Sequence, residues 1–384
     1  MAEATRLKGF FFAYFAYVGI FSPYLSLYLA DGGFSVAQIG FLMSLPQWMR
    51  IVAPPFWGWL ADAGGRADRL MRVSSVLTLL AVIVLPWATD AGIYGVALLL
   101  SVLFFVSAAQ VPIGEARTLA ATQGDSGAYG KIRLWGSIGF VGGVALVGPA
   151  LDKLGTHTLP LWMSLALVLL VVIVWPASAE AGAGQPRVSL VRLRDRLREI
   201  RIAAFFVANF LMIFAHAAYY VLYSLYLEEH GYSKTSIGAL WTLGVIAEIV
   251  LFRCQHLLFT RFSALALLAF SIAVAALRFA LIGGSTGMLS VLLAAQVMHA
   301  FTFGLHHSAV MKLLHQWFDP RQQARAQALY ITLAYGLGGA LGGLVVSALW
   351  VRVSPAAAFY GAGVAAFVGL LATGFCMSRA PKER

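Results

Sequence analysis

A stretch in the second half of the chain repeats a stretch that lies 198 residues earlier. Residues 24–40 (YLSLYLADGGFSVAQIG) align with residues 222–238 (LYSLYLEEHGYSKTSIG) without a gap and with eight identities in seventeen positions. Agreement at this level indicates an internal duplication of half the chain. The same offset places Arg50 opposite Glu248, so corresponding apolar segments carry charges of opposite sign. Duplicated halves with charges inside apolar segments are typical of membrane transporters.

The composition excludes a soluble globular protein. Hydrophobic residues make up 60% of the 384 residues and charged residues only 11%, and the mean hydropathy is +0.82. These residues cannot supply the polar surface that a soluble chain of this length needs. The two cysteines, Cys254 and Cys376, are too few for a disulfide framework. The first apolar segment contains Pro23 and no small-residue cleavage site, so we interpret it as a retained helix.

The net charge of +11 is explained by membrane topology and not by a nucleic-acid partner. Of the 27 Lys and Arg residues, seventeen fall in segments that we predict to be cytoplasmic, three fall on the other side and seven lie in or at the ends of helices. This asymmetry follows the positive-inside rule and predicts that both termini are cytoplasmic.

Twelve apolar segments are each long enough to cross a ~30 Å hydrocarbon core as a helix. Their predicted limits are residues 8–30, 36–61, 69–88, 92–121, 129–151, 157–176, 201–227, 234–260, 263–283, 287–316, 322–350 and 355–378. We therefore predict an all-α membrane protein with an N-terminal six-helix bundle over 1–176, a cytoplasmic linker over 177–200 and a C-terminal six-helix bundle over 201–384. The arginine-rich part of the linker, VRLRDRLREIR, either lies on the inner leaflet or forms a solvated helix.

The loop after the second segment, GWLADAGGRADR, resembles the loop motif of the major facilitator superfamily. The matching residues are Gly58, Asp62, Gly65, Arg66 and Arg69. Ala67 stands where a basic residue is usual. The resemblance implies two pseudo-symmetric six-helix bundles and a gating motif whose aspartate and arginines hold the cytoplasmic ends of the halves together. The corresponding loop of the second half, FRCQHLLFTRFS, lacks the glycine and the aspartate, so we expect a one-sided contact.

Seven ionisable groups lie near the middle of the predicted helices, where each charge costs roughly 2.5–3.5 kcal/mol on insertion scales. They are Arg50, Glu115, Arg133, His216, Glu248, Arg278 and His299. Glu115 precedes Gly124 by nine residues and Arg133 follows it by nine, so the two side chains are predicted to face each other at one depth. We interpret the seven groups as one transport site. The alternative is that they pair only to fix helix packing.

The stretch YGKIRLWGSIGF, with Glu115 eighteen residues before Arg133, resembles the fourth and fifth helices of the lactose permease family. The resemblance is closer to the phenylpropionate permease branch, with the runs HAAYY, TLGVIAE and YGKIRLWGS, and it covers nearly the whole chain. Thr302 replaces the tenth-helix proton-site glutamate of lactose permease, and Tyr219 and Tyr335 replace its aspartate–lysine pair. Sugar specificity and the proton route are therefore not implied for this chain.

The histidines and a glycine-rich run have simpler interpretations than metal or nucleotide binding. His306 and His307 are adjacent, so on a helix they point about 100° apart and cannot share one ion. We interpret His306 and His315 as interfacial residues and leave His307 open. The run GLGGALGG over 336–343 follows no strand, so it predicts close helix packing.

These observations predict a proton-coupled importer of a small organic solute that works by alternating access, as a monomer in a bacterial inner membrane. Three mid-membrane arginines against two glutamates favour an anion such as an aromatic carboxylate. The predicted substrate-binding residues are Arg50, Glu115, Arg133, His216, Tyr219, Tyr220, Arg278 and His299. Glu248 and His299 are the predicted proton-coupling residues. Further stacking surfaces are expected from Tyr14, Trp135 and Phe301.

Other functions stay open at this point. Within the transporter class, the alternative is a neutral nucleoside or sugar substrate, with the arginines neutralised by the glutamates. Outside it, the alternatives are a non-transporting sensor and an intramembrane enzyme. The sequence contains no Ser/His/Asp constellation, paired aspartates or zinc motif, so no catalytic residue, metal or cofactor is predicted.

Overall fold

The computed structural model describes residues 3–64, 67–123, 125–176, 194–285 and 287–378, and it contains no strand in these ranges. Twelve long helices run through them: α1 (Glu3–Asp31), α2 (Val36–Gly64), α3 (Ala67–Asp90), α4 (Ile93–Ala121), α5 (Ser126–Leu154), α6 (Thr156–Val174), α7 (Ile200–Glu229), α8 (Lys234–Arg261), α9 (Ala264–Gly284), α10 (Leu289–Trp317), α11 (Pro320–Arg352) and α12 (Pro355–Ser378). A short turn, Arg194–Leu197, precedes α7. The predicted all-α class is confirmed.

Eleven of these helices are, within the described residues, long and apolar enough to cross a membrane. They contain 19 to 33 residues, which at 1.5 Å per residue matches or exceeds a ~30 Å hydrocarbon core. The other helix, α2, has 29 residues but includes Gln38, Gln47 and Arg50 among its apolar side chains. All twelve coincide with the predicted segments to within a few residues.

The helices form two compact units. The first comprises Met1–Pro186 together with Gly231–Thr242, and the second comprises Arg187–His230 together with Leu243–Arg384. Residues 177–193 of the predicted linker lie outside the described residues. The exact domain boundaries therefore stay a prediction.

The beginning of α8 belongs to the first unit because α5 and α1 bind it there. The carboxylate of Asp152, near the end of α5, accepts hydrogen bonds from the Lys234 amide at 2.8 Å and the Thr235 amide at 2.9 Å. It also accepts one from the Thr235 hydroxyl at 2.5 Å. The Tyr24 hydroxyl of α1 donates to the Lys234 carbonyl at 3.2 Å. A carboxylate at this position satisfies amide groups that a helix leaves unpaired in its first turn.

The duplicated stretch adopts the same turn in both places. Gly33 and Gly231 both have positive φ, 82° and 78°, which glycine adopts without steric cost. The hydroxyl oxygens of Ser35 and Ser233 then accept hydrogen bonds from the amides three residues later, at 3.4 and 3.1 Å, and so begin α2 and α8. Because these positions are 198 residues apart, the repeat seen in the sequence is also a repeat of local conformation.

Close helix crossings are repeated as well. In the first unit, α5 lies so near α1 that a Cβ atom on Gly143 would be 2.6 Å from the Ala16 carbonyl oxygen. A Cβ on Gly139 would collide with the Phe12 carbonyl oxygen. Glycines four residues apart thus let the two backbones approach as closely as membrane helices can.

The second unit contains the same arrangement between α11 and α7. A Cβ atom on Gly338 would be 2.8 Å from the Phe210 carbonyl oxygen, and one on Gly342 would collide with the Phe214 carbonyl oxygen. These four residues follow their counterparts in the first unit by 198 or 199 positions. The prediction that the 336–343 run serves close helix packing is confirmed.

Three helices of the second unit contain π-helical turns, which the sequence analysis did not predict. They are Ala218–Leu222 in α7, Ala300–Leu305 in α10 and Ile331–Gly338 in α11. A π-helical turn changes the direction of side chains along a helix and is often found at a functional site. The first of these turns contains Tyr219 and the second contains Thr302, and both residues belong to the candidate site.

Candidate functional site

The second unit brings five of the predicted binding residues together from α7, α9 and α10. Arg278 of α9 lies at the centre and is fully buried. Its Nε donates to the Ala295 carbonyl at 2.8 Å and its Nη1 to the Thr302 hydroxyl at 3.4 Å. Its guanidinium carbon lies 4.6 Å from the centre of the Tyr219 ring, where a cation is attracted by the π-electrons.

Two histidines complete this cluster. His216 of α7 is fully buried, with Nδ1 2.8 Å from the Met212 carbonyl and Nε2 3.3 Å from the Thr302 hydroxyl. The His299 ring of α10 stacks on Tyr219 with ring centres 5.0 Å apart, and its centre is 6.4 Å from that of His216. Tyr220 packs edge-on against Tyr219 at 5.4 Å. The cluster therefore combines one fixed positive charge, two imidazoles and two phenol rings.

Gln296 also belongs to this cluster, and the sequence analysis missed it. It is fully buried, and its Oε1 accepts a hydrogen bond from the Tyr219 hydroxyl at 3.2 Å. Gly244 of α8 faces it, because a Cβ there would be 3.0 Å from Gln296 Oε1 and 3.3 Å from His299 Cδ2. The available signal was weak: one amide in an apolar helix, three residues before a predicted site histidine.

Glu248 lies beside this cluster in α8. A Cβ on Gly304 of α10 would be 3.2 Å from Glu248 Cγ, so the carboxylate side chain lies against the π-helical part of α10. Within the described residues, no ion pair of 4.0 Å or less joins Glu248 to Arg278. Arg278 lies within electrostatic range of Glu248, as expected, but its guanidinium is engaged by the Ala295 carbonyl and Thr302. The expectation that His299 is also a neighbour of Glu248 stays a prediction.

The first unit contains the predicted pair between α4 and α5. Arg133 Nε lies 3.8 Å from Glu115 Oε1, and the two side chains are 33% and 40% exposed. The Arg133 guanidinium also covers the Phe15 ring, 4.2 Å from its centre. The Tyr14 hydroxyl lies within electrostatic range of Arg50, Glu115 and Arg133. The prediction that Glu115 and Arg133 face each other is confirmed, and the pair is partly exposed and not desolvated.

Other residues that the sequence analysis singled out lie outside these two clusters. Trp135 is 40% exposed and packs edge-on against Phe12, and Phe301 packs against Phe270. His306 is 1% exposed and begins the α-helical part of α10 that follows the π-helical turn. Its interpretation as an interfacial residue stays a prediction. Its neighbour His307 is exposed, which agrees with the two rings pointing in different directions.

A family model described as the MFS_1 like family matches residues 4–361. The chain belongs to this family of the major facilitator superfamily. It is a multi-pass membrane transporter that carries a small-molecule substrate, and it is not an enzyme. The resemblance read from the loop motif and from YGKIRLWGSIGF is confirmed.

Relatives of this MFS_1-like transporter agree with that assignment. It is 30% identical over 337 residues to the "Probable 3-phenylpropionic acid transporter" of Escherichia coli (strain K12), covering 85% of this chain and 86% of the relative. It is 27% identical over 372 residues to the "Maltose permease" of Geobacillus stearothermophilus, covering 96% and 93%. The crystal structure of the nucleoside transporter NupG shares the fold, with a TM-score of 0.84 at 18% identity over 98% of this chain and 99% of that one.

The predicted gating motif lies only partly within the described residues. The Asp62 side chain, Gly65 and Arg66 lie outside the described residues, while Arg69 is exposed at the start of α3 and no atom lies within 4 Å of a Cβ on Gly58. The role of the motif therefore stays a prediction.

Beside this motif lies a charge cluster that the sequence analysis missed. Arg117 of α4 forms ion pairs with Asp68 of α3 and with Glu3 of α1, the latter at 3.1 Å. Its side chain is only 17% exposed. Arg117 therefore links three helices of the first unit beside the motif.

Proposed function

We propose that this transporter imports a small aromatic carboxylate, of the class of 3-phenylpropionate, together with protons. Arg278 carries the proposal because it is fully buried and, among the described residues, no carboxylate oxygen lies within 4.0 Å of its guanidinium. A buried charge without an ion-pair partner is costly. The carboxylate of a substrate would supply that partner, and the 30% identical relative named for 3-phenylpropionic acid supports this class.

The aromatic part of such a substrate finds apolar ring surfaces beside the arginine. The His299 ring stacks on those of Tyr219 and Phe303, with ring centres 5.0 and 5.5 Å from its own. Tyr220 packs edge-on against both Tyr219 and Phe303. Aromatic rings favour offset or edge-on contacts with one another. We assign carboxylate binding to Arg278, ring contacts to Tyr219 and Tyr220, and supporting roles to His216 and His299. In the first unit, Arg50, Glu115 and Arg133 are proposed to contact the substrate.

Proton coupling is proposed for Glu248, with His299 as the competing carrier. Glu248 lies one helical turn beyond Gly244, which itself faces Gln296 and His299, so a proton on this carboxylate is close to the substrate. The proposed cycle is alternating access of two halves, 1–176 and 201–384, with the motif of Gly58, Asp62, Gly65, Arg66 and Arg69 acting in gating.

Uptake into proteoliposomes tests the proposal. Purified protein reconstituted into vesicles should accumulate labelled 3-phenylpropionate when the outside is acidic, and a protonophore should abolish the accumulation. Arg278→Gln should abolish specific binding because the fixed positive charge is lost, whereas Arg253→Gln, on an exposed position of α8, serves as the control. Absence of uptake at every pH gradient, with a correctly folded protein, would contradict the proposal.

A neutral sugar or nucleoside is the second candidate, and one observation favours it. Glu115 and Arg133 form an ion pair without net charge, and Arg133 lies on the Phe15 ring, so this site offers both hydrogen-bonding groups and an apolar face. The named maltose permease and nucleoside transporter agree with such a substrate. Competition by unlabelled maltose or uridine, without competition by phenylpropionate, would establish this alternative.

We further propose a bacterial inner membrane as the location, with both termini cytoplasmic and the monomer as the working unit. The excess of Lys and Arg in the predicted cytoplasmic loops supports this orientation. Protease access to terminal tags in right-side-out and inverted vesicles tests the orientation. Cross-linking at low protein density in the bilayer tests whether the working unit is a monomer.

A further inference from the structure

Three buried nitrogen atoms around Tyr219 have no hydrogen-bond partner among the residues that the structure describes. They are Arg278 Nη2, Gln296 Nε2 and His299 Nδ1. Arg278 and Gln296 are fully buried and His299 is 5% exposed, so these atoms are shielded from bulk water. Buried polar groups are nearly always paired, and a group left without a partner calls for an explanation such as a ligand.

The three side chains converge because each of them contacts the same tyrosine. The Arg278 guanidinium lies over the Tyr219 ring, Gln296 accepts from the Tyr219 hydroxyl, and the His299 ring stacks on the Tyr219 ring. They come from two helices, α9 and α10, and Tyr219 comes from the π-helical turn of α7. Each of the three unpaired atoms therefore belongs to a side chain in direct contact with Tyr219.

In Arg278 and Gln296 the other polar atoms already form hydrogen bonds, and this defines what a ligand must offer. Arg278 uses Nε and Nη1 for the Ala295 carbonyl and the Thr302 hydroxyl, and Gln296 uses Oε1 for Tyr219. The charged Nη2 group of Arg278 and the amide Nε2 group of Gln296 remain as donor groups, and His299 Nδ1 is the third atom without a partner. Two donors of this kind match the two oxygens of a carboxylate.

We propose that Gln296 is a specificity-determining residue that binds the second carboxylate oxygen of the substrate while Arg278 Nη2 binds the first. This inference rests on the proposed function, because it assigns the substrate's anionic group to the same site. Gly244 is part of the arrangement, since a Cβ at that position would be 3.0 Å from Gln296 Oε1 and would displace the amide. The amide, and not the arginine alone, then distinguishes a carboxylate from a neutral group of the same shape.

Binding of an acid and its neutral amide tests this assignment. We expect the wild-type protein to bind 3-phenylpropionate more tightly than 3-phenylpropionamide, because the amide offers a single acceptor oxygen and no charge. Gln296→Leu should reduce that preference about ten- to a hundredfold, which is the effect of removing one hydrogen bond to a charged group. Gln296→Glu, of nearly identical shape, should weaken binding of the acid still further through charge repulsion while retaining binding of the amide.

Gln110→Leu is the matched control. Gln110 of α4 in the first unit is also a fully buried glutamine, and its Nε2 donates to the Thr78 hydroxyl at 2.9 Å. Replacing Gln110 removes a buried amide group without touching the proposed site. The ratio of the affinities for 3-phenylpropionate and 3-phenylpropionamide should therefore not change. Thermal unfolding of each purified variant shows whether it is folded. If Gln296→Leu does not fold, Gln296→Glu provides the test.

The outcomes separate this inference from the proposed function. If the wild type binds neither compound, the proposed function fails and the inference fails with it. If the wild type prefers the acid and folded Gln296 variants keep the same preference, only the inference is overturned, and Arg278 acts without the amide. A reduced preference in both Gln296 variants, with Gln110→Leu unchanged, supports it.

Discussion

Glu115 and Arg133 form an ion pair whose side chains are 40% and 33% exposed. The sequence analysis expected a large loss of stability on breaking the pair only if the contact was desolvated, and this condition is not met. An exposed ion pair contributes ~0–1 kcal/mol, because water screens the attraction and ordering two long side chains costs entropy. The pair is therefore better suited to exchanging partners with a solute than to holding α4 and α5 together.

We expect Arg133→Gln to lower the free energy of unfolding by less than about 1 kcal/mol. Arg117→Gln should lower it by about 2 kcal/mol or more, since Arg117 is 17% exposed and its loss leaves the carboxylates of both Glu3 and Asp68 without their ion pairs to it. Unfolding of both variants in the same detergent measures the difference. Equal losses would mean that the Glu115–Arg133 pair is structurally as important as the Arg117 cluster.

The sequence predicts the Glu115–Arg133 contact but not the role of Gln296. Glu115 and Arg133 were predictable as partners because they lie at equal distances from one turn, and helix geometry then fixes their depth. Gln296 was not predictable, because its partner Tyr219 comes from a helix far away in sequence and from a π-helical turn. One amide in an apolar helix has no periodicity that would distinguish a binding group from a packing group.

Glycines determine which helices approach most closely in each unit. Gly139 lies where a Cβ would collide with the Phe12 carbonyl, whereas no atom lies within 4 Å of a Cβ on Gly142 of the same helix. In the second unit, Gly338 of α11 faces the Phe210 carbonyl, and Gly374 of α12 has open space. The chain thus contains a close-packed glycine and a matched unconstrained glycine in each unit.

We expect Gly139→Ala and Gly338→Ala each to destabilise the protein by ~1–3 kcal/mol, because the added methyl group forces the backbones apart. Gly142→Ala and Gly374→Ala should be neutral or stabilising by ~0.5–1 kcal/mol, since alanine restricts the unfolded chain more than glycine does. Thermal unfolding of the four variants is the measurement. A destabilised Gly142→Ala, or a tolerated Gly139→Ala, would contradict the crossing described for α1 and α5.

Helix positions were predictable, whereas their internal irregularities were not. The apolar segments set the limits of the helices because each must cover a hydrocarbon core of fixed thickness. A π-helical turn is formed by i→i−5 hydrogen bonds within a continuous helix, and neither the apolar composition nor the length of the segment reveals it. The three such turns, in α7, α10 and α11, therefore appear only in the structure.

At the scale of the whole chain, the duplication explains both what is repeated and what differs. The glycine turns at Gly33 and Gly231 and the glycine crossings recur in both units. The ionisable residues differ: the first unit contains a partly exposed Glu–Arg pair, whereas the second contains a buried arginine with two imidazoles and with Glu248 nearby. A duplicated scaffold thus carries two chemically different groups, which agrees with the proposed symport of a solute and a proton.

The coupling prediction follows from this difference. Glu248 lies against Gly304 and, among the described residues, forms no ion pair with Arg278, His299 or His306. A carboxylate that is not held by a cation is able to bind and release a proton in each transport cycle. We expect Glu248→Gln, which resembles the protonated carboxyl group, to retain substrate binding and exchange but to lose accumulation driven by a pH gradient. Counterflow and gradient-driven uptake in the same proteoliposomes measure the two properties separately.

His299→Gln provides the comparison, because an imidazole is the other kind of side chain that binds and releases a proton near neutral pH. His299 stacks on Tyr219 and Phe303, so its replacement should slow uptake by disturbing these contacts while the pH gradient still drives accumulation. His307→Gln, at an exposed position of the same helix, should leave both assays unchanged. If Glu248→Gln still concentrates substrate under a pH gradient and His299→Gln does not, the proton passes through the imidazole, and the carboxylate only positions α8 against α10.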